Sequence, residues 1–142
     1  MNARIEIARI AGIPVYLDMW FVLIVVLLSS GFFTRGDANM MSVGVVVVIG
    51  LLLSILLHEL GHAFAGMLFK QRVEEIELGG FGGLCKFERS LPKSVFIRTV
   101  IYLAGPAMNL LLWKGLQWAI TQPVSGSKPM LASALGYVAF SN

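Results

Sequence analysis

The chain has 142 residues, of which 57% are hydrophobic and 13% are charged, and its mean hydropathy is +0.81. Soluble globular domains have about 25% charged residues, so this composition excludes an ordinary soluble protein and predicts an integral membrane protein. The net charge of +3 is too small to indicate nucleic-acid binding. A single cysteine, Cys85, excludes an internal disulfide, and the length allows one domain over residues 1–142.

The first predicted element is an apolar helix over residues 15–33, which follows a polar segment of mixed charge. Gly12 and Pro14 break any earlier helix, and proline suits the first helical position. The run has about the length that a bilayer span requires. A signal peptide with small residues near Ser29 for cleavage is the alternative, although the apolar part is long for one. Asp18 is predicted in the first turn, near the lipid headgroups, where the helix dipole favours a carboxylate.

A second apolar run covers residues 40–69 and exceeds the roughly twenty residues that span a bilayer. Its length and setting favour a helix that is tilted, protrudes from the bilayer or packs among other helices. A third apolar run covers residues 95–120. Residues 130–140 begin a fourth, which is too short in this chain to span as a helix.

Charged residues concentrate between the second and third runs, at residues 70–93. Residues 73–78 and 84–87 are predicted to be two short strands, with glycines between them as the turn, because glycine readily adopts positive φ. A flexible connector is the alternative. The sequence therefore predicts an all-α integral membrane protein with three transmembrane helices, the start of a fourth, and a short membrane-associated β-hairpin or glycine loop.

Basic residues indicate the orientation in the membrane. Six of them lie between the end of the second run and the first turn of the third: Lys70, Arg72, Lys86, Arg89, Lys93 and Arg98. The positive-inside rule then predicts that this loop and the N-terminus are cytoplasmic.

The chain's two histidines, His58 and His62, flank Glu59 near the end of the second run. On a helix, residues four apart share one face, so both imidazoles can reach one tetrahedral metal ion. A carboxylate between them can take a proton from metal-bound water, as in zinc hydrolases with the H-E-x-x-H pattern. Two helical histidines and a solvated glutamate are the alternative. Ionisable residues in a membrane span cost about 2.5–3.5 kcal/mol or more each, which favours one shared metal.

Three motifs in this order resemble those of the site-2 protease family, the intramembrane zinc metalloproteases. The segment from His58 to His62 is similar to the family's H-E-x-G-H helix. Residues 81–83, Phe-Gly-Gly, are similar to its membrane-associated substrate-holding hairpin. Residues 104–109, Ala-Gly-Pro-Ala-Met-Asn, are similar to its G-P-x-x-N helix. The combination covers about residues 45–115 and is far more specific than any one motif.

The resemblance implies a Zn²⁺ endopeptidase that cleaves transmembrane segments of membrane proteins in regulated intramembrane proteolysis. Its partners would be a transmembrane protein substrate and the lipid bilayer, with no nucleic acid. Residues 12–15, Gly-Ile-Pro-Val, are similar to the entry of the first helix in many bacterial members, so the resemblance implies a bacterial cytoplasmic membrane. The residues it implicates are catalytic Glu59, metal-binding His58 and His62, and substrate-binding Gly82, Gly83 and Asn109. For Asn109, packing between helices is an equal alternative.

The family takes a third zinc ligand from an aspartate on the next core helix, and residues 135–142 are similar to the start of that helix. The 142 residues do not reach that aspartate, so the metalloprotease core is expected to be incomplete at its C-terminus. We expect such a chain alone to bind zinc weakly and not to cleave. Two other functions remain open: a membrane metal-binding protein that acts as a regulator or partner, and a metal transporter. The placement of Glu59 for water activation disfavours the transporter.

Overall fold

The structure is a computed structural model that describes residues 4–34, 38–79 and 82–121. The elements in these ranges are β1 (Arg4–Ile10), β2 (Ile13–Asp18), α1 (Met19–Phe33), α2 (Ala38–Leu68), β3 (Val73–Gly79), β4 (Gly82–Phe87) and α3 (Val95–Thr121). The strands form one sheet in the order β1-β2-β3-β4. Two antiparallel hairpins, β1–β2 and β3–β4, are joined by parallel pairing of β2 with β3.

The prediction of an all-α protein is wrong, because the chain starts with a β-hairpin and carries a four-stranded mixed sheet. Residues 4–7, Arg-Ile-Glu-Ile, alternate polar and apolar side chains, which is the period of a strand. Ala11 and Gly12 both have positive φ, 51° and 83°, as a two-residue hairpin turn requires. Pro14, predicted as the first helical residue, pairs instead with Arg9 across this hairpin.

The first predicted span also begins too early, because residues 13–18 are strand β2 and α1 starts only at Met19. Asp18 is the N-cap, and its carboxylate accepts a hydrogen bond from the Trp20 N–H at 3.2 Å. A buried strand and an adjoining apolar helix look alike in hydrophobicity, so the sequence shows no boundary between them. The 15 residues of α1 extend about 22 Å, less than the roughly 30 Å of a bilayer's hydrocarbon core.

Two helices in the described ranges are long and apolar enough to cross a membrane, α2 with 31 residues and α3 with 27. They confirm the helices predicted over residues 40–69 and 95–120. Only 11% of the apolar window of each helix is buried inside the protein. Their apolar side chains therefore face outward, as in a helix that contacts lipid and unlike the core helix of a soluble protein. The predicted fourth segment, 130–140, lies outside the described residues.

The sheet packs against α2 through the side chains of its two central strands. Val15 of β2 and Ile76 of β3 are both 0% exposed, and Leu60 of α2 belongs to the same buried cluster. On β4, the Phe87 ring lies against α2 at Gly66, where a Cβ would overlap the ring. The predicted hairpin between α2 and α3 is thus confirmed, and β4 is held against α2 one turn beyond His62.

An ion cluster ties three strands together on the polar side of the sheet. Lys86 of β4 lies 2.7 Å from both Glu75 and Glu77 of β3, and Arg4 of β1 lies 2.7 Å from Glu75. The hydrogen bond from Lys86 holds the pKa of Glu75 below its usual value, and the same bond raises the pKa of Lys86. Because Arg4 and Lys86 are partly exposed, solvent screens these pairs and each contributes little on its own.

Helix α3 approaches α2 closely at Gly61. A Cβ at this position would lie 2.6 Å from the backbone oxygen of Ala104 and 2.7 Å from the Met108 side chain. No real Cβ makes contacts that short with backbone, so the approach requires glycine. Small residues that let two backbones approach are a general feature of helix packing in membranes.

Candidate metal centre

His58 and His62 lie one turn apart on the same face of α2, as their spacing predicts. Their ring centroids are 4.8 Å apart and the ring planes meet at 80°. Together with Glu59 they offer three ligand atoms that all lie within 4.8 Å of one another. In residues 4–34, 38–79 and 82–121, this is the group of metal-ligating side chains that the fold brings together.

Helix α3 lies alongside this face and runs antiparallel to α2, because Ile101 contacts His62 and Asn109 contacts His58. Gly105 lies midway between them. A Cβ at Gly105 would lie 2.7 Å from Nε2 of His58 and closer still to Nε2 of His62. Both Nε2 atoms therefore lie against Gly105, at a place that is open to them only because residue 105 has no side chain.

The proton of the His62 ring is placed by α3. Its Nδ1 lies 2.7 Å from the backbone oxygen of Ile101, and a carbonyl can only accept a hydrogen bond. Nδ1 therefore carries the ring hydrogen, and Nε2 presents a lone pair to the space beside Gly105. Imidazole nitrogen is a common zinc ligand, so the convergence of two Nε2 atoms fits Zn²⁺ held by His58 and His62.

Glu59 points away from α3, toward strand β4. It is only 5% exposed, and its carboxylate accepts a hydrogen bond from the backbone N–H of Cys85. A Cβ at Gly83 would overlap the same carboxylate. Glu59 is thus packed between the histidines on its own helix and the backbone of β4, which limits the directions its carboxylate can take.

The Cys85 side chain does not join the reactive groups. Burial, with a smaller contribution from the nearby Glu59 carboxylate, raises the pKa of its thiol to about 12. The thiol is therefore protonated at neutral pH and packs against the buried cluster of the sheet and α2.

The fold brings five of the six predicted site residues together: His58, Glu59, His62, Gly83 and Asn109. Gly82 starts β4, and the space where its Cβ would lie is open. The assignment of substrate binding to Gly82, Gly83 and Asn109 stays a prediction.

Two contributors to the site, Gly105 and Ile101, are not among the residues predicted from the sequence. Gly105 belongs to the motif at residues 104–109, so the sequence marks it as important. Nothing in the sequence indicates that it contacts the histidines. Ile101 contributes a backbone oxygen, which no residue type could indicate.

A model of peptidase family M50 matches residues 46–136 of the chain. A protein of Synechocystis sp. with a provisional zinc-metalloprotease name is 33% identical over 138 residues, covering 89% of this chain and 36% of that protein. A zinc metalloprotease of Methanocaldococcus jannaschii is 30% identical over 112 residues, covering 79% of this chain and 31% of that protein. The chain thus spans about a third of the length of these relatives.

The fold is shared with a solved structure, the site-2 protease from Methanocaldococcus jannaschii. The TM-score is 0.70, and the match covers 98% of this chain and 63% of that one at 23% sequence identity.

The space beside Gly105 leads to a test of the metal centre. We expect Gly105→Ala to abolish zinc binding, because the new methyl group would overlap Nε2 of both histidines and push the rings apart. Zinc content per purified chain, measured by atomic emission, checks this. Gly115→Ala on the same helix is the matched control, since its Cβ meets nothing within 4 Å. Equal zinc content in the two variants would contradict the assigned site.

Proposed function

The chain belongs to peptidase family M50, the site-2 protease family, and on that basis we propose that it acts as a zinc-dependent endopeptidase on the transmembrane segments of other membrane proteins. The family is membrane-embedded, which agrees with the two long apolar helices. The observation that carries the proposal is the convergence of His58 and His62 beside Gly105, with the Glu59 carboxylate next to them.

In this proposal the histidines of α2 hold the metal, and Glu59 of the same helix handles the proton. A bound zinc ion supplies Lewis acidity, which lowers the pKa of coordinated water toward about 7 and polarises a carbonyl. Glu59 is the general base that takes the proton of the attacking water and then passes it to the leaving amine. The Cys85 N–H and the backbone at Gly83 hold its carboxylate in place for both transfers.

The substrate is a peptide in extended form, because a helix shields its own peptide bonds. β3 is paired on both sides and cannot accept another strand, whereas β4 ends the sheet. An extended peptide that adds to the outer edge of β4 would gain backbone hydrogen bonds. It would also run beside Glu59, which already bonds to the Cys85 N–H. This arrangement supports β4 as the strand that presents the scissile bond to the base.

Glu59 gives the first test of the mechanism. Glu59→Gln keeps the size and the hydrogen-bond acceptor but cannot take a proton, so we expect kcat to fall by about 10²–10⁴-fold with zinc content unchanged. Both quantities are measured on the chain extended through the next core helix, which is expected to carry the third zinc ligand: cleavage of a model transmembrane substrate in proteoliposomes, and zinc analysis of the same sample. Glu74→Gln, exposed on β3, is the control. Substantial cleavage by Glu59→Gln would rule out this role.

Substitutions at two adjacent glycines distinguish a role of β4 in catalysis from a role in folding. Gly83→Ala should push the Glu59 carboxylate aside and lower kcat by about tenfold or more, since small displacements at a reacting centre are costly. At Gly82 a Cβ would meet no neighbouring atom, but the backbone φ of +125° is strained for any residue with a side chain. Gly82→Ala should therefore lower the unfolding temperature more than it lowers kcat. Equal loss of kcat and stability in both variants would mean that the hairpin is only structural.

The N-terminus and the β3–β4 hairpin are assigned to the cytoplasm, with the positive-inside rule as support. Glu74 is exposed, so Glu74→Cys in a Cys85→Ser background gives a single reactive thiol on the hairpin. We expect an impermeant maleimide to label it in inverted membrane vesicles and not in intact cells. Labelling in intact cells would reverse the orientation.

A further inference from the structure

Asn109 makes a contact that a substrate-binding side chain does not need. Its Nδ2 lies 3.2 Å from Nδ1 of His58, the ring nitrogen that faces away from the space beside Gly105. Its other polar atom, Oδ1, is buried and has no hydrogen-bond partner. A buried acceptor without a donor is unfavourable and requires an explanation.

The two histidines differ in how their protons are placed. For His62, the Ile101 oxygen fixes the hydrogen on Nδ1 and leaves Nε2 free. For His58, an amide N–H that donates to Nδ1 forces the hydrogen of the neutral ring onto Nε2. A metal ligand must present a lone pair, so in this orientation of the amide His58 cannot bind a metal through Nε2.

Rotation of the Asn109 amide by half a turn removes the conflict at His58 and exchanges the two polar atoms, so that Nδ2 takes the former place of Oδ1. Oδ1 then accepts a hydrogen bond from Nδ1–H of His58, and Nε2 is left with its lone pair. The two orientations make equally many hydrogen bonds to the ring, so a metal at Nε2 decides between them. His58 would then have the same proton arrangement as His62, with both rings held at Nδ1 by oxygen atoms of α3.

We propose that Asn109 is a positioning residue for metal binding, whose Oδ1 holds His58 in the tautomer that leaves Nε2 free. Ile101, Gly105 and Asn109, spaced by four on one face of α3, thereby act as a unit: two oxygens orient the rings and a glycine keeps the space between them open. The inference rests on the proposed zinc site and assigns Asn109 to the metal rather than to the substrate. Oxygen partners of this kind typically change metal affinity 10–100-fold when removed.

Two substitutions at Asn109 distinguish the roles. Asn109→Leu removes the accepting oxygen, so we expect zinc affinity, measured by competition with a chromogenic chelator, to fall about 10–100-fold. Asn109→Asp keeps an accepting oxygen and loses the amide N–H groups, so its zinc affinity should stay within a few-fold of the parent. Parent-like affinity of Asn109→Leu, or equal losses in both variants, would overturn the proposal.

A ¹⁵N NMR spectrum of the parent protein tests the tautomer of His58 without any substitution at Asn109. This chain has two histidines, so selective ¹⁵N-histidine labelling gives two pairs of ring-nitrogen signals, which His62→Gln assigns to their residues. In the zinc-loaded protein we expect both rings to carry hydrogen on Nδ1 and to bind through Nε2. A His58 ring that binds through Nδ1, or keeps its hydrogen on Nε2, would overturn the proposal. A parent protein that takes up no zinc would overturn the proposed function as well, whereas the other contrary outcomes leave it standing.

Discussion

The close packing of α2 against α3 is the contact on which the rest of the site depends. Gly61 lets the α3 backbone at Ala104 approach, and Gly105 then lies directly beside the two histidine rings. A larger residue at either position would separate the helices or fill the space between the Nε2 atoms. One pair of glycines thus sets both the distance between the helices and the room for the two histidine rings.

The sheet contacts α2 at Glu59, whereas α3 contacts α2 at the two histidines. Residues 58, 59 and 62 lie within about one turn, and the helical rotation of about 100° per residue places Glu59 beside the histidines and toward β4. The base therefore contacts β4, while the histidines contact α3. In the proposed mechanism, metal binding and substrate presentation would use separate elements that meet at a single turn of α2. The parallel β2–β3 pairing anchors β4 in the larger sheet.

Local periodicity accounts for what the sequence predicted well. Spacing by four put His58 and His62 on one face, and clustered glycines marked the β3–β4 hairpin, because both are short-range effects. The strands at residues 4–18 were missed, since the apolar residues of β2 continue into α1 without a break. The pairing of β2 with β3 and the use of the Ile101 oxygen are contacts between distant segments, and the latter involves backbone alone, so neither leaves a residue pattern to detect.

The most direct measurement of the central claim is zinc K-edge X-ray absorption on the purified, zinc-loaded protein. Two imidazole ligands should appear, with Zn–N distances of about 2.0–2.1 Å, and their scattering should disappear in a variant with both His58→Ala and His62→Ala. Zinc bound without imidazole scattering, or a spectrum unchanged in that double variant, would contradict a metal centre built on these two histidines.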